Sequence, residues 1–162
     1  MKKLLMKVNQ RCRLITEKEN KVKARLVARG FEEKKLIQRD SPTASKGAMR
    51  ILLTIAASKQ WVIKTTDIKS AFLQGKELNR NVYLKPPKES EAPDGIIWKL
   101  KHCLYGLKDG ARQFYLRVNE ELSKLGCTQS KLDPAVYILK TDNYVVMLMI
   151  SSMMVTKSLT SS

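Results

Sequence analysis

Acidic residues are scarce in this chain: 15 Asp and Glu stand against 31 Lys and Arg, which leaves a net charge of +16 over 162 residues. So basic a balance points to a polyanionic partner, nucleic acid first and an anionic membrane surface second, with a merely solvated basic surface as the plain rival. Histidine is nearly missing, with His102 alone, and the three cysteines (Cys12, Cys103, Cys127) share no metal-ligand spacing. That excludes a Cys/His zinc site and a disulfide framework, and a reduced intracellular compartment, cytoplasm or nucleus, is the expectation. Long apolar runs are absent too. The opening Met1–Lys7 imitates a secretion signal, but Lys7, Asn9, Gln10 and Arg11 end its apolar run too early. The stretch from Tyr144 to Val155 is too short to span a bilayer and is interrupted by Ser151-Ser152. Neither a signal peptide nor a transmembrane segment is expected, and no membrane partner. Internal repeats and low-complexity linkers are lacking as well.

What the chain does have is a globular composition, 43% apolar, and a length suited to one domain. Its basic excess is uneven: residues 1–35 hold twelve Lys/Arg against four Glu, whereas 144–162 carry Lys157 alone. Residues 11–29 read as two strands around Glu17-Lys18-Glu19-Asn20, the second loosely alternating cationic and apolar side chains. Lys46–Lys59 reads as a helix with a stripe of Met49, Leu52, Leu53, Ala56 and Ala57. Trp61-Val62-Ile63 resumes extended structure, and Val82–Leu84 and Ile96–Leu100 are short strands around a proline-bearing loop. A second helix runs from Asp109, a candidate N-cap, to Leu125, with Gly126 as its stop and an apolar stripe of Ala111, Phe114, Tyr115, Val118, Leu122 and Leu125. Strands Ala135–Leu139 and Tyr144–Ile150 flank a turn at Thr141-Asp142-Asn143. The order β-β-α-β-β-β-α-β-β gives an α+β fold, a sheet with helices on one face. Residues 1–10 read as a poorly ordered leader, 11–156 as the domain and 157–162 as a tail.

The stretch Thr65-Thr66-Asp67-Ile68-Lys69-Ser70-Ala71-Phe72-Leu73-Gln74-Gly75 ends a β-branched run on a carboxylate, then adds small residues, an aromatic and a glycine. Alone, Asp67 reads as easily as an N-cap for a short helix at Lys69–Leu73, and Phe72 as a core aromatic. In company the stretch says more. Lys23-Ala24-Arg25-Leu26-Val27-Ala28-Arg29-Gly30-Phe31 precedes it and Cys103-Leu104-Tyr105-Gly106-Leu107-Lys108 follows it. Asp40–Thr43, Val82–Pro87, Ala111–Tyr115 and Leu132-Asp133-Pro134 lie between and beyond. Together these pieces resemble the reverse transcriptase domain of copia-type retrotransposons, an RNA-directed DNA polymerase cut from a Pol polyprotein, over residues 11 to 156.

The resemblance implies a reverse-transcriptase-like palm with partial fingers, its mixed or antiparallel sheet backed by helices. It implies that Asp67 is a catalytic, Mg2+-binding aspartate and that Phe72 lies under the sugar of an incoming deoxynucleotide. Ser70 and Ala71 would bring backbone to its phosphates, with Lys23 and Arg25 as fingers cations; without the resemblance, these two read as solvated strand residues. Tyr105 and Gly106 would lie near the template, so an RNA/DNA template-primer is the implied partner. Two metal ions stabilise the attacking and leaving oxygens of such a transfer, and magnesium asks for hard oxygen ligands.

One departure stands out. The family's paired aspartates occupy a β-hairpin, and the matching segment here reads Leu148-Met149-Ile150-Ser151-Ser152-Met153-Met154-Val155. Hydroxyls replace both carboxylates, and Met149 replaces an aromatic. The expectation is therefore a truncated, catalytically inactive reverse transcriptase domain that does not bind Mg2+ productively. Its rivals are a non-catalytic basic nucleic-acid-binding module and a decayed element without selected function. Ser151-Ser152 have no general base beside them to make a nucleophile pair.

Overall fold

The computed structural model describes residues 13–18, 21–33, 36–87, 90–142, 144–150 and 154–159. Residues 1–10, read above as a leader, lie outside these residues, as do Cys12 and Ser151-Ser152. The chain forms two compact units: residues 1–40 with 70–117, and residues 41–69 with 118–162.

The first unit opens with the antiparallel pair β1 (Arg13–Lys18) and β2 (Lys21–Leu26), in register from Arg13↔Leu26 to Lys18↔Lys21. A second antiparallel pair joins β4 (Val82–Leu84) to β5 (Trp98–Leu100). Strand alternation decides what the second ribbon buries. Val82 and Leu84 point inward, and Val82 joins Ala28, Cys103 and Leu107 in a small core flanked by Leu78, Leu100 and Leu104. Ile96 and Ile97, expected to begin this strand, precede it and are exposed.

The second unit is built on a five-stranded antiparallel sheet, β3-β9-β8-β7-β6. Its strands are β3 (Val62–Thr65), β6 (Thr128–Gln129), β7 (Val136–Lys140), β8 (Tyr144–Met149) and β9 (Met154–Leu159). The hairpin between β7 and β8 closes where the Thr141 amide donates to the Tyr144 carbonyl at 2.9 Å. β9 carries strand structure through Lys157 to Leu159, because it fills the slot between β8 and β3.

Helix α1 (Lys46–Ser58) begins at Ser45, whose hydroxyl accepts from the Ala48 amide. Its buried stripe is narrower than the periodicity suggests. Leu52 and Ala56 are buried, whereas Leu53 and Ala57 are exposed, and Leu52 packs with Val136 and Met149. Helix α2 (Gly110–Lys124) stops in a Schellman motif: Gly126 has φ +82, its amide reaches the Ser123 carbonyl, and the Cys127 amide reaches Leu122. Of its expected stripe, Val118 and Leu122 are buried and Phe114 and Tyr115 are half-buried; Ala111 and Leu125 are exposed, while Gln113 is buried. Among the described residues no helix is long and apolar enough to cross a membrane.

Candidate functional site

In the second unit, β3 is an edge strand, paired with β9 from Val62↔Lys157 to Thr65↔Met154. Asp67 follows two positions after Thr65 and is exposed. Ser152 precedes Met154 by the same count, so in sequence Asp67 and Ser152 stand equally far from the last ladder pair; Ser151 and Ser152 themselves lie outside the described residues. Among the described residues no group of three His, Cys, Asp or Glu side chains is arranged to hold a metal ion. The residues that the resemblance would offer to a metal, Asp67, Ser151 and Ser152, are one carboxylate and two neutral hydroxyls. Magnesium favours anionic hard oxygens, so these residues do not fit a pair of Mg2+ ions.

The first unit carries the rest. Ser70, not Asp67, occupies the N-cap position of the short 3-10 turn Ala71–Gln74, and it does so in the left-handed region, φ 53 and ψ 40, with no side-chain cap bond. An L-residue there is strained, and such strain concentrates where backbone is held for a purpose. The turn presents Phe72, whose ring meets that of Tyr105 edge-on, with centroids 5.2 Å apart. Two predicted site residues are thereby brought together. Lys23 and Arg25 lie in β2, opposite Thr16 and Leu14; their side chains fall outside the description.

Tyr105-Gly106 is locked to the segment after β2. The Ala28 amide donates to the Tyr105 carbonyl at 2.7 Å, and the Gly30 amide to the Gly106 carbonyl at 3.1 Å. Gly106 has φ +88, and a Cβ on either glycine would collide with the other segment's backbone: Gly30 with the Gly106 carbonyl, Gly106 with that of Ala28. The glycines of two separate motifs are thus one structural feature, a backbone crossing that admits no side chain.

A buried ionic cluster backs this crossing, and sequence reasoning did not find it. The Arg80 guanidinium donates from Nε and Nη2 to the Asp109 carboxylate (3.1 and 2.8 Å) and from Nη1 to Glu33 at 2.7 Å. Glu33 also accepts from the Lys108 amide at 3.2 Å, and the Lys108 ammonium donates to the Glu33 carbonyl at 2.6 Å. Burial pushes the Asp109 pKa up, but the hydrogen bonds and charge of Arg80 outweigh it, and the carboxyl lies below its ordinary value. Burial, then the Asp109 charge, push the Cys103 thiol up to about 12, and its Sγ donates to Asp109 at 3.5 Å. Asp109 does stand just before α2, as a cap would, but it serves as the anionic partner of Arg80. Up to 76 positions of sequence separate the three charges, in segments read as connections and a helix start, so no local pattern announces them.

Residues 8–161 match the family model described as reverse transcriptase (RNA-dependent DNA polymerase). The chain is 32% identical over 145 residues to the retrovirus-related Pol polyprotein from transposon TNT 1-94 of Nicotiana tabacum, covering 85% of this chain and 10% of that protein. It is 31% identical over 137 residues to the corresponding polyprotein from transposon RE1 of Arabidopsis thaliana, covering 81% and 9%. It is 31% identical over 105 residues to the truncated transposon Ty1-A Gag-Pol polyprotein of Saccharomyces cerevisiae, covering 63% and 9%. The chain thus spans about a tenth of the length of these relatives. No solved structure matches it.

Proposed function

The chain belongs to the reverse transcriptase (RNA-dependent DNA polymerase) family, as a copia-type domain of a retrotransposon Pol polyprotein, and from there we propose that it is a palm with partial fingers that holds nucleic acid without extending it. The observation that carries this reading is the pair Ser151-Ser152 where the family places two aspartates. Asp67 alone supplies too little negative charge for two divalent cations, so the transfer step has no way to neutralise the developing phosphoryl charge.

What remains suits binding. The +16 charge favours a phosphate backbone. The edge-on contact of Phe72 with Tyr105 supports a role for Phe72 under a nucleotide sugar and for Tyr105-Gly106 near a template. The left-handed Ser70 supports a backbone approach to phosphates by Ser70 and Ala71. Lys23 and Arg25 complete the set as fingers cations.

Primer extension by the purified chain with Mg2+ or Mn2+ is expected at background; robust template-dependent incorporation overturns the inactive reading. Ser151→Asp combined with Ser152→Asp is expected to raise Mn2+ affinity at least tenfold in a calorimetric titration. An unchanged titration means the site is misplaced.

A further inference from the structure

We propose that the outer face of the β4–β5 ribbon binds single-stranded nucleic acid, with Tyr83 as a stacking platform and Lys85, Lys99 and Lys101 as phosphate contacts. The proposal rests on the reading that the chain holds nucleic acid, but not on whether it catalyses.

Register defines the face. Val82↔Leu100 and Leu84↔Trp98 are the inward rows, and Tyr83↔Lys99 is the outward row between them. Tyr83 is half-buried and Lys99 exposed. Two positions on from each, Lys85 and Lys101 are exposed as well. The ladder ends there: Lys85 lies just past β4 and Lys101 just past β5, while Asn81 and Ile97 precede the two strands and are exposed too. The six positions thus hold three cations, one aromatic, one amide and one aliphatic residue, and no acid. No salt bridge among the described residues engages the three lysines.

Because the pair is antiparallel, the end of β4 and the end of β5 lie at opposite ends of the ribbon, so Lys85 and Lys101 flank Tyr83 and Lys99 from either side. An aromatic between cations is how sequence-tolerant single-strand sites are built.

Fluorescence anisotropy with a labelled oligouridylate, across 50–400 mM salt, tests the proposal on the full chain. Each phosphate contact on a single strand contributes about 0.7 to the salt slope. Lys85→Ala/Lys99→Ala/Lys101→Ala is therefore expected to flatten the slope by about 2, with the melting temperature held. Lys46→Ala/Arg50→Ala/Lys59→Ala, which removes equal charge from exposed positions of α1 and its C-terminal end, is expected to leave it unchanged. Tyr83→Ser is expected to weaken binding about fivefold or more at constant slope, and Tyr83→Phe to preserve it. If the parent binds and the ribbon triple variant matches it, or the α1 variant loses as much, this proposal falls and the broader reading stands. If the parent does not bind oligouridylate, both fall. Tighter capture by phosphatidylserine vesicles, lost with the same three lysines, overturns the choice of partner.

Discussion

Glu33 and Asp109 are 5% and 3% exposed, and carboxylates that deep depend on Arg80 beside them. Removing one partner of a buried ionic cluster costs about 3–5 kcal/mol, because the remaining charges stay desolvated. Arg80 is itself 23% exposed, so Arg80→Met is expected near the lower end, about 3 kcal/mol by urea unfolding. The pH dependence has a definite sign. The folded-state pKa of Asp109 is depressed, so the unfolded chain takes up the proton first as pH falls. Its stabilisation is complete above about pH 4 and drains away on further acidification through the folded pKa. Asp133 is shifted the same way, by backbone hydrogen bonds from Ser45 and Ala135. Urea midpoints of the parent should therefore drop between pH 4.5 and 2.5, and Asp109→Asn should flatten part of that drop. A variant as acid-sensitive as the parent would show that Asp109 titrates alike in both states. Cys103 makes a separate case: fully buried, and with its thiol pushed up to about 12, it should resist iodoacetamide at pH 8 until the chain is unfolded, as mass mapping would reveal.

At the scale of elements, helix ends explain much of what was and was not legible. Gly126 announced the stop of α2 because glycine alone enters φ > 0 without strain. The end of α1 uses the same hydrogen bonds, from the Gln60 amide to Ala57 and from the Trp61 amide to Ala56, but places Gln60 at φ 53. Nothing in a glutamine marks a left-handed cap, and here the fold overrides local preference. Gln60→Gly is expected to raise stability by up to about 1 kcal/mol, and Gly126→Ala to lower it by about 1, both by thermal melts. The start of α1 at Lys46 was legible, but the contact that fixes it was not. Asp133, noticed only as part of Leu132-Asp133-Pro134, accepts from the Ser45 amide with one oxygen and the Ala135 amide with the other, both at 2.9 Å. It ties the helix start to the entry of β7, so Asp133→Ala should cost about 1–2 kcal/mol while Asp133→Asn should cost less. The long strands were readable from alternation and apolar runs. β6, two residues long, had no period to detect, and β9, with Thr156, Lys157 and Ser158, resembles a polar tail until its partners β3 and β8 are known. The motifs themselves were legible, but the reason for two of their residues, the crossing of Gly30 and Gly106, was visible only when distant backbone met.

At the scale of the whole molecule, charge sets the behaviour. Thirty-one cations against 15 anions repel one another in any compact state, and the penalty is long-ranged and therefore screened by salt. The Debye length falls from about 10 Å at 0.1 M to about 3 Å at 1 M. The ionic cluster of Arg80 is shielded from that screening by its burial, so salt should relieve repulsion more than it weakens attraction. The melting temperature is accordingly expected to rise by several degrees between 0.05 and 0.5 M sodium chloride, and scanning calorimetry would measure it. Added single-stranded oligonucleotide should raise it further at low salt, since a ligand that favours the folded state stabilises it by mass action. That second increment should shrink as salt rises, because the released counterions that drive binding are then no longer scarce. The two effects have opposite salt dependence, which separates self-repulsion from polyanion binding in one set of melts. A melting temperature that fell steadily with salt in the absence of nucleic acid would mean that attractive surface pairs, not the excess of lysine and arginine, dominate the electrostatics of the fold.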